Sequence, residues 1–286
     1  MNSVAGHAGA RVWPGEGVRQ VEILGGRADV RVRAGRQLAW AGPDSVEADQ
    51  DGDTLVLRLP RARAWDWLAL AGHELELTLP PSVTALHIRT TGDVDLDGVR
   101  ADCTIEIRAG DLRARHGRGR WRLKTGAGDV EVDDHQGELD VHSGAGDVDI
   151  RGGRLVRARV RSGAGNLHWT AWVEREAEIV TGAGSVDLRP LTGGDADIAV
   201  RSGFGNITLD LTGVAGGRLE VQTGAGNIHD GAGIHVGRRG GFGQRAVDVL
   251  GPGRGVIRLV TGAGDIRVTG RRPEPPAAAA CPAAAG

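Results

Sequence analysis

Apolar and polar residues alternate along most of this chain with a period of two, which is the pattern of β-strands that bury one face. Trp121, Leu123 and Thr125 occupy alternate positions before a glycine-rich segment, and Val130 and Val132 occupy alternate positions after it. The residues between them are mostly charged, which indicates an outward face. The chain is therefore predicted to be all-β, with strands joined in pairs by glycine-rich turns.

A five-residue phrase joins the two strands of each pair: Ser or Thr, then Gly-x-Gly, then Asp, Asn or Ser. Shorter versions end at Asp93 and Asp111, and residues 241–244 repeat the pattern around a phenylalanine. The last residue of the phrase recurs every 17 to 21 positions, which indicates a repeat architecture. The full phrase occupies 125–129, 143–147, 162–166, 181–185, 202–206, 223–227 and 261–265.

A unit of this length has room for two strands and two corners, and it cannot bury its apolar face alone. Stacked units solve this, because each strand pairs with the equivalent strand above and below and the inward residues form one core. The sequence predicts a single-chain parallel β-solenoid, β-helix-like, of about ten rungs with an N-terminal β cap. Ten strand spacings of ~4.8 Å make a rod on the order of 45 Å long.

Three regions follow from this interpretation. Residues 1–84 lack the phrase and are predicted to be the N-terminal β cap, which hides the edge of the first rung. Residues 85–270 are the solenoid repeats. Residues 271–286 are rich in proline and alanine and are predicted to be a disordered tail, because they cannot build a core. Strand-like runs of the cap lie at 18–23, 29–33, 55–59 and 74–79.

Tryptophans are concentrated in part of the predicted cap. Trp40, Trp65 and Trp67, together with Leu68, are candidates for its core. A tryptophan binding patch is the alternative interpretation.

Glycine suits the corner because it adopts positive φ values and lets neighbouring backbones approach each other. An Asp or Asn after the last glycine can bond the local backbone in an Asx-type turn. The predicted structural turn ladder comprises Gly126, Gly128, Asp129, Gly144, Gly146, Asp147, Gly163, Gly165, Asn166, Gly182, Gly184, Gly203, Gly205, Asn206, Gly224, Gly226, Asn227, Gly262, Gly264 and Asp265.

The acidic part of this column has an alternative interpretation as a calcium site at Asp93, Asp111, Asp129 and Asp147. Calcium prefers several hard oxygen ligands. Stacked ionised carboxylates about 5 Å apart repel one another unless they are solvated or a cation lies nearby.

Motifs of enzymes are absent from the sequence: it contains no G-x-S-x-G, no P-loop and no C-x-x-C. Glu131 and Asp149 would lie one rung apart, near the carboxyl separation of about 5 Å used by retaining glycosidases. Any ladder creates such neighbours, so a weak carbohydrate-active enzyme is only an alternative. The prediction is no enzyme, with no catalytic residue and no cofactor.

Histidines do not show the close spacing of zinc ligands and are interpreted as exposed members of the ladders. They are His142, His168, His229 and His235.

Charge and composition limit the partners. The formal net charge is −2 and basic residues are interleaved with acidic ones, so no nucleic acid is expected. The sequence shows no signal peptide and no apolar run of about 18 residues, so we expect no transmembrane segment and a cytoplasmic location. The two cysteines, Cys103 and Cys281, do not suggest a disulfide framework.

A basic stripe is a local alternative to a solvated outer face interrupted by Asp140 and His142. It would comprise Arg118, Arg120, Arg122, Lys124, Arg154, Arg157, Arg159 and Arg161.

The strand 74–81 that closes on proline, the first Gly-Asp unit at 91–96 and the repeated phrase resemble a bacterial β-strand-repeat family of unknown function, often labelled adhesins. The resemblance covers about residues 18 to 270. It implies the fold, whereas the family has no agreed catalytic residues. We therefore expect a non-enzymatic, adhesin-like interaction or scaffold module with an unknown protein or surface partner. End-to-end self-association of the rod is a further expectation.

Overall fold

The structure, a computed structural model, describes residues 11–13, 17–43, 45–59, 73–234, 236–238 and 243–271. These ranges contain β-strands, a 3₁₀ turn at Leu211–Gly213 and no α-helix. The strands are β1 (Arg11–Val12), β2 (Gln20–Leu24), β3 (Ala28–Ala34), β4 (Ala39–Ala41), β5 (Glu47–Asp51), β6 (Thr54–Arg58), β7 (His73–Leu79), β8 (Ala85–Thr90), β9 (Val94–Asp97), β10 (Asp102–Ile107), β11 (Leu112–Arg115), β12 (Arg118–Thr125), β13 (Val130–Asp133), β14 (Gln136–Ala145), β15 (Val148–Ala164), β16 (Leu167–Ala183), β17 (Val186–Leu188), β18 (Asp197–Phe204), β19 (Ile207–Asp210), β20 (Gly217–Ala225), β21 (Ile228–Asp230), β22 (Val236–Arg238), β23 (Gln244–Gly251), β24 (Val256–Ala263) and β25 (Ile266–Thr269).

The alternating pattern is confirmed by the burial of alternate side chains. In β12, Trp121, Leu123 and Thr125 are buried, whereas Arg122 and Lys124 between them are exposed. The strand-like runs predicted in the N-terminal region correspond to β2, β3, β6 and β7. The chain is all-β and solenoid-like.

Parallel pairing joins equivalent strands of successive units. The strands before the glycine corner pair in the order β8, β10, β12 and β14, and those after it pair in the order β9, β11, β13 and β15. In the middle of the molecule, β15 and β16 run through the second corner, so each serves two successive units. The two stacks enclose the inward side chains between them.

The order of units in space departs from the order in sequence at both ends. The unit β2–β3 lies between β6–β7 and β8–β9. The last unit, β24–β25, lies between β18–β19 and β20–β21. The final repeat in the sequence is therefore inserted into the stack and does not terminate it.

Antiparallel strands cover both ends of the stack. At one end β5 pairs with β6, and β4 pairs with β7 and with β1. At the other end β23 pairs with β20 and β22 pairs with β23. The prediction that the phrase copy ending at Gln244 marks one more parallel repeat is wrong, because Gln244 opens the antiparallel β23. A reversed strand satisfies the backbone edge of β20 without adding a rung.

One hydrophobic cluster runs from Val18 to Val268. Trp40 is 5% exposed within it and contacts Trp13 in a tilted arrangement at a ring-centroid distance of 5.6 Å, so its predicted role in the core is confirmed. Strands on both sides of residue 84 share this core, and the proposed domain boundaries stay predictions. The predictions for Trp65, Trp67, Leu68, His235, Cys281 and the tail from residue 272 lie outside the described residues.

Candidate functional site

Both glycines of the phrase touch the unit beside them. At the second glycine of the seven full phrases, a Cβ atom would lie 2.0–2.2 Å from a carbonyl oxygen of the neighbouring unit; at the first glycine, the distance would be 2.4–2.7 Å. Gly128 also has φ +127°, a conformation that L side chains rarely adopt. The corner is therefore specific for glycine for both reasons expected from the sequence: the neighbouring backbones are in contact, and φ is positive.

The Asp and Asn side chains of the corner form a ladder between units. Oδ1 of Asp111 accepts from the backbone N–H of Asp129 at 3.0 Å, and Oδ1 of Asp129 accepts from Asp147 at 2.8 Å. The same bond recurs along the column from Asp29 to Asn166, and again from Asn206 through Asp265 to Asn227. The expected local Asx-type turn is thus a bond to the next unit in the stack.

At Asp265 this bond favours the ionised carboxylate. The N–H of Asn227 lowers the pKa of Asp265, and His229 assists. The ladder bond itself requires only an acceptor oxygen at Oδ1, and Asp and Asn both present one.

An acidic groove lies beside the first half of the ladder. We use this name for the shallow surface lined by Asp111, Asp129, Asp147, Glu131, Asp149, Arg113 and Arg151. Arg151 donates to Glu131 at 3.0 Å and also to Asp149, and Asp149 raises the pKa of this guanidinium. Burial, then Glu131, raises the pKa of the neighbouring Asp133.

Glu131 and Asp149 are register partners on β13 and β15, as the glycosidase alternative requires. A guanidinium holds both, so each is an ion-paired acceptor. The aromatic residues near them do not offer an open surface for a sugar ring. Trp169 is 1% exposed, and the guanidinium carbon of Arg154 lies 5.9 Å from the ring centroid of Trp172. Within the described ranges, no three His, Cys, Asp or Glu side chains come together in an arrangement that could hold a metal ion.

The outer side of β12, β14, β15 and β16 carries charge in stripes. The units alternate in sign, so that each basic side chain has an acidic partner on the adjacent strand. We call this surface the striped face: Arg120, Arg122, Glu138, Asp140, Arg157, Arg159, Glu176 and Glu178.

Ion pairs connect the stripes. Arg120 contacts Glu138 at 2.9 Å and Arg157 contacts Glu176 at 3.2 Å. In the neighbouring column, Arg159 contacts Glu178 at 3.0 Å and Arg122 contacts Asp140 at 3.9 Å. The strand β14 therefore separates the basic residues of β12 from those of β15, with Glu138 and Asp140 at the two central positions and Gln136 and His142 beside them. The outer face is interrupted at Asp140 and His142, as expected from the sequence.

The exposed histidines each meet an aspartate. His142 lies 3.3 Å from Asp140, and His168 lies 3.3 Å from Asp187. His229 lies 3.4 Å from Asp265.

Two features had no clear signal in the sequence. His135 is 1% exposed and contacts the buried Trp121, with the two rings tilted and their centroids 4.5 Å apart. Burial lowers the pKa of this imidazole to about 4. At the second corner, Asp102 accepts from the N–H of Arg120 at 2.9 Å. The separation of 18 residues between them equals the repeat length, so this bond also joins successive units.

Cys103 is a free, buried thiol, and burial raises its pKa. Among the described residues, no helix combines the length and the hydrophobicity of a membrane-spanning segment.

The family model described as Toastrack DUF4097 matches residues 119–269. A crystal structure of a "putative adhesin" from Bacteroides fragilis is similar at 12% identity and a TM-score of 0.44, covering 91% of this chain and 95% of the other. A "putative cell adhesion protein" from Clostridium sporogenes is similar at 9% identity and a TM-score of 0.23, covering 91% and 97%. No curated protein has a sequence that matches this chain.

Proposed function

Because this chain belongs to the Toastrack DUF4097 family of β-strand-repeat domains, we propose that it is a non-enzymatic interaction or scaffold module of the adhesin-like kind. The partner is a protein or a surface, and it binds the striped face. The observation that carries the proposal is the fixed alternation of basic and acidic units on a rigid parallel ladder.

The energetics support a role in recognition. The ion pairs of the striped face are well exposed: Arg120 and Arg157 retain 64% and 53% of their side-chain exposure. Such pairs contribute only about 0–1 kcal/mol each to stability. A regular pattern of charge instead fixes the orientation of a partner and excludes partners of the wrong pattern.

A photo-crosslinking residue tests this surface. It is placed at Arg122 on the striped face or, as the matched control, at Thr208 on the other outer face, in the full chain within its own cells. We expect a defined adduct from position 122 that is absent from position 208. Equal labelling at both positions, or none at either, would contradict the proposal.

A charge exchange separates recognition from stability. The double variant Arg157→Glu with Glu176→Arg keeps one opposite-charge pair between β15 and β16 but changes the order of the stripes. We expect it to lose most of the adduct at position 122 with little change in the urea midpoint. Retention of the adduct would mean that the stripe order is not recognised.

The absence of enzymatic activity is part of the proposal and is supported by the ion-paired state of Glu131 and Asp149. Robust hydrolysis of a glycan panel that is lost in Asp149→Asn would overturn it and favour the carbohydrate-active alternative.

A cation-stabilised adhesive module is the second candidate. It is favoured by the run of carboxylates at Asp93, Asp111, Asp129 and Asp147, in which the ladder bonds use Oδ1. Oδ2 of Asp111 accepts from Arg113 at 3.4 Å, so a cation there would compete with this ion pair. Calcium would then raise the melting temperature of the wild type and not that of Asp129→Asn with Asp147→Asn. An unchanged melting temperature with calcium or chelator, and no heat of binding in calorimetry, would exclude it.

The cytoplasmic location expected from the sequence remains a proposal. Fractionation of the source cells, with the chain followed by an antibody, tests it.

A further inference from the structure

The last unit of the chain occupies a slot inside the stack. On one side, Ile257 and Leu259 of β24 pair in register with Ile198 and Val200 of β18. On the other side, the same two residues pair with Leu219 and Val221 of β20. All six side chains are at most 2% exposed, so the unit completes the core between two neighbours.

The corner ladder passes through the inserted unit. The N–H of Asp265 donates to Oδ1 of Asn206 at 2.9 Å, and Oδ1 of Asp265 accepts from Asn227 at 2.8 Å. Thr261 bonds the carbonyl oxygen of Gly205 at 3.1 Å. Both walls of the slot therefore present the edge of a Ser/Thr-Gly-x-Gly-Asn unit, and the slot selects a segment with that repeat pattern.

A short crossing loop, residues 252–255, connects β23 to β24. β23 and β24 lie on opposite sides of β20, so residues 252–255 cross over the start of β20. A Cβ atom on Gly216 would lie 1.8 Å from the carbonyl oxygen of Pro252 in this crossing. The sequence Gly251-Pro252-Gly253-Arg254-Gly255 combines flexibility with a proline, which is typical of a hinge.

Hydrogen bonds to both neighbouring units hold the crossing loop, and one of them runs from the N–H of Arg218 to the carbonyl oxygen of Gly255 at 2.9 Å. The N–H of Arg254 donates to Asp195 at 3.0 Å and that of Val256 to Asp197 at 2.9 Å. The N–H of Gly255 bonds the carbonyl oxygen of Gly194 at 2.9 Å. The bonds and core contacts of β24–β25 outside the loop do not depend on which chain supplies the unit.

We propose that, when chains fold together at high concentration, the slot between β18–β19 and β20–β21 accepts residues 256–269 of a second copy, giving a dimer by reciprocal exchange of this unit. The exchanged dimer preserves every ladder bond and core contact of β24–β25, and the two states differ only in the crossing loop. Exchange of an identical element is a low-cost route to assembly. The proposal is independent of the function assigned to the striped face.

A disulfide between two full-length chains tests the exchange. Arg201 and Val260 are register partners on β18 and β24, and adjacent strands bring such positions within the range of a disulfide. One chain carries Arg201→Cys and the other Val260→Cys, and both carry Cys281→Ser; the buried Cys103 is kept. The pair is unfolded in urea with reductant, refolded together at high concentration and then oxidised.

We expect several-fold more disulfide-linked heterodimer from this pair than from a control pair of Arg122→Cys with Val260→Cys. A single chain with both Arg201→Cys and Val260→Cys verifies that the geometry permits the bond by closing it internally. Equal yields from the two pairs, with that internal bond formed, would overturn the proposal.

The loop offers a second measurement. Deletion of Pro252 and Gly253 shortens the crossing and is expected to shift the full chain to twice the monomer mass in light scattering. Insertion of two glycines at the same place is the matched control and should leave a monomer. A folded deletion variant that remains monomeric would contradict the exchange.

Discussion

At the second glycine of each corner, a carbonyl oxygen of the neighbouring unit leaves no space for any side chain. The second glycine of each phrase lies so close to the neighbouring unit that even a methyl group has no room. The contact recurs along the stack, so a substitution in one unit also displaces the backbone of the next.

The variant Gly128→Ala is expected to lose roughly 3 kcal/mol or more of its free energy of unfolding. Its Cβ would lie 2.1 Å from the carbonyl oxygen of Gly110, at a φ of +127° that is strained for alanine. Urea denaturation followed by circular dichroism measures the loss. Ala127→Ser, at the exposed tip of the same corner, should stay within about 0.5 kcal/mol of the wild type.

The buried His135 makes stability depend on pH. Its folded pKa of about 4 lies below the ordinary histidine pKa of 6.5, so between these values the unfolded chain binds a proton that the folded chain does not. Its contribution is complete above pH 6.5 and is lost as the pH falls toward 4, by up to ~3 kcal/mol. We expect the urea midpoint to fall over this range.

The variant His135→Phe keeps a ring beside Trp121 but cannot titrate. Its urea midpoint should change less between pH 6.5 and 4 than that of the wild type, whatever its absolute stability. His142→Gln, on the exposed face, is the control. Parallel pH profiles of the wild type and His135→Phe would assign the dependence to other groups.

At the scale of the element, the corner ladder works through the acceptor oxygen rather than through the charge. Ladder positions are occupied by Asp at 111, 129 and 147 and by Asn at 166, with the same bond to the next unit. Oδ1 is the atom that both residues share.

Asp129→Ala should therefore cost about 1 kcal/mol, because the N–H of Asp147 loses its acceptor. Asp129→Asn keeps the acceptor and removes one of the stacked negative charges, so its stability should equal or exceed that of the wild type. Urea midpoints without added calcium compare the two. Equal losses in both variants would show that the charge, and not the bond, matters.

At the scale of the whole molecule, the ends of the stack control assembly. The strand β5 covers one end and carries Glu47, Asp49 and Asp51, all exposed. Charged side chains on an edge strand oppose pairing with another copy. The end-to-end association expected from the sequence stays a prediction, and these charges act against it.

We expect the wild type to be monomeric after ordinary purification, and the triple variant Glu47→Gln, Asp49→Asn, Asp51→Asn to gain mass with concentration. Light scattering behind size exclusion measures both. Neutralising Glu174, Glu176 and Glu178 in the middle of the stack removes the same number of charges and should not cause association through the end. A monomeric triple variant at every concentration would mean that β5 is protected by something other than charge.

Strand existence, the inward residues and the glycine corners could be read from the sequence, because the direction of a side chain on a strand is a local property. The alternation around Trp121 and the repeated phrase needed no knowledge of distant contacts. The sequence predicted that Asp129 accepts a hydrogen bond from the local backbone. It did not predict the donor, because the N–H of Asp147 lies 18 residues away in the chain.

The amino-acid sequence by itself determined that this protein is a stack of two-strand units around one apolar core, because period-two burial and contacting glycine corners permit little else. Only the tertiary structure decided the order of the units, the antiparallel covers and the contact between His135 and Trp121. All units have nearly the same backbone edges on their strands, so several spatial orders of the units would satisfy the repeating pattern. The choice among them depends on contacts between residues far apart in the chain, such as Asn206 with Asp265.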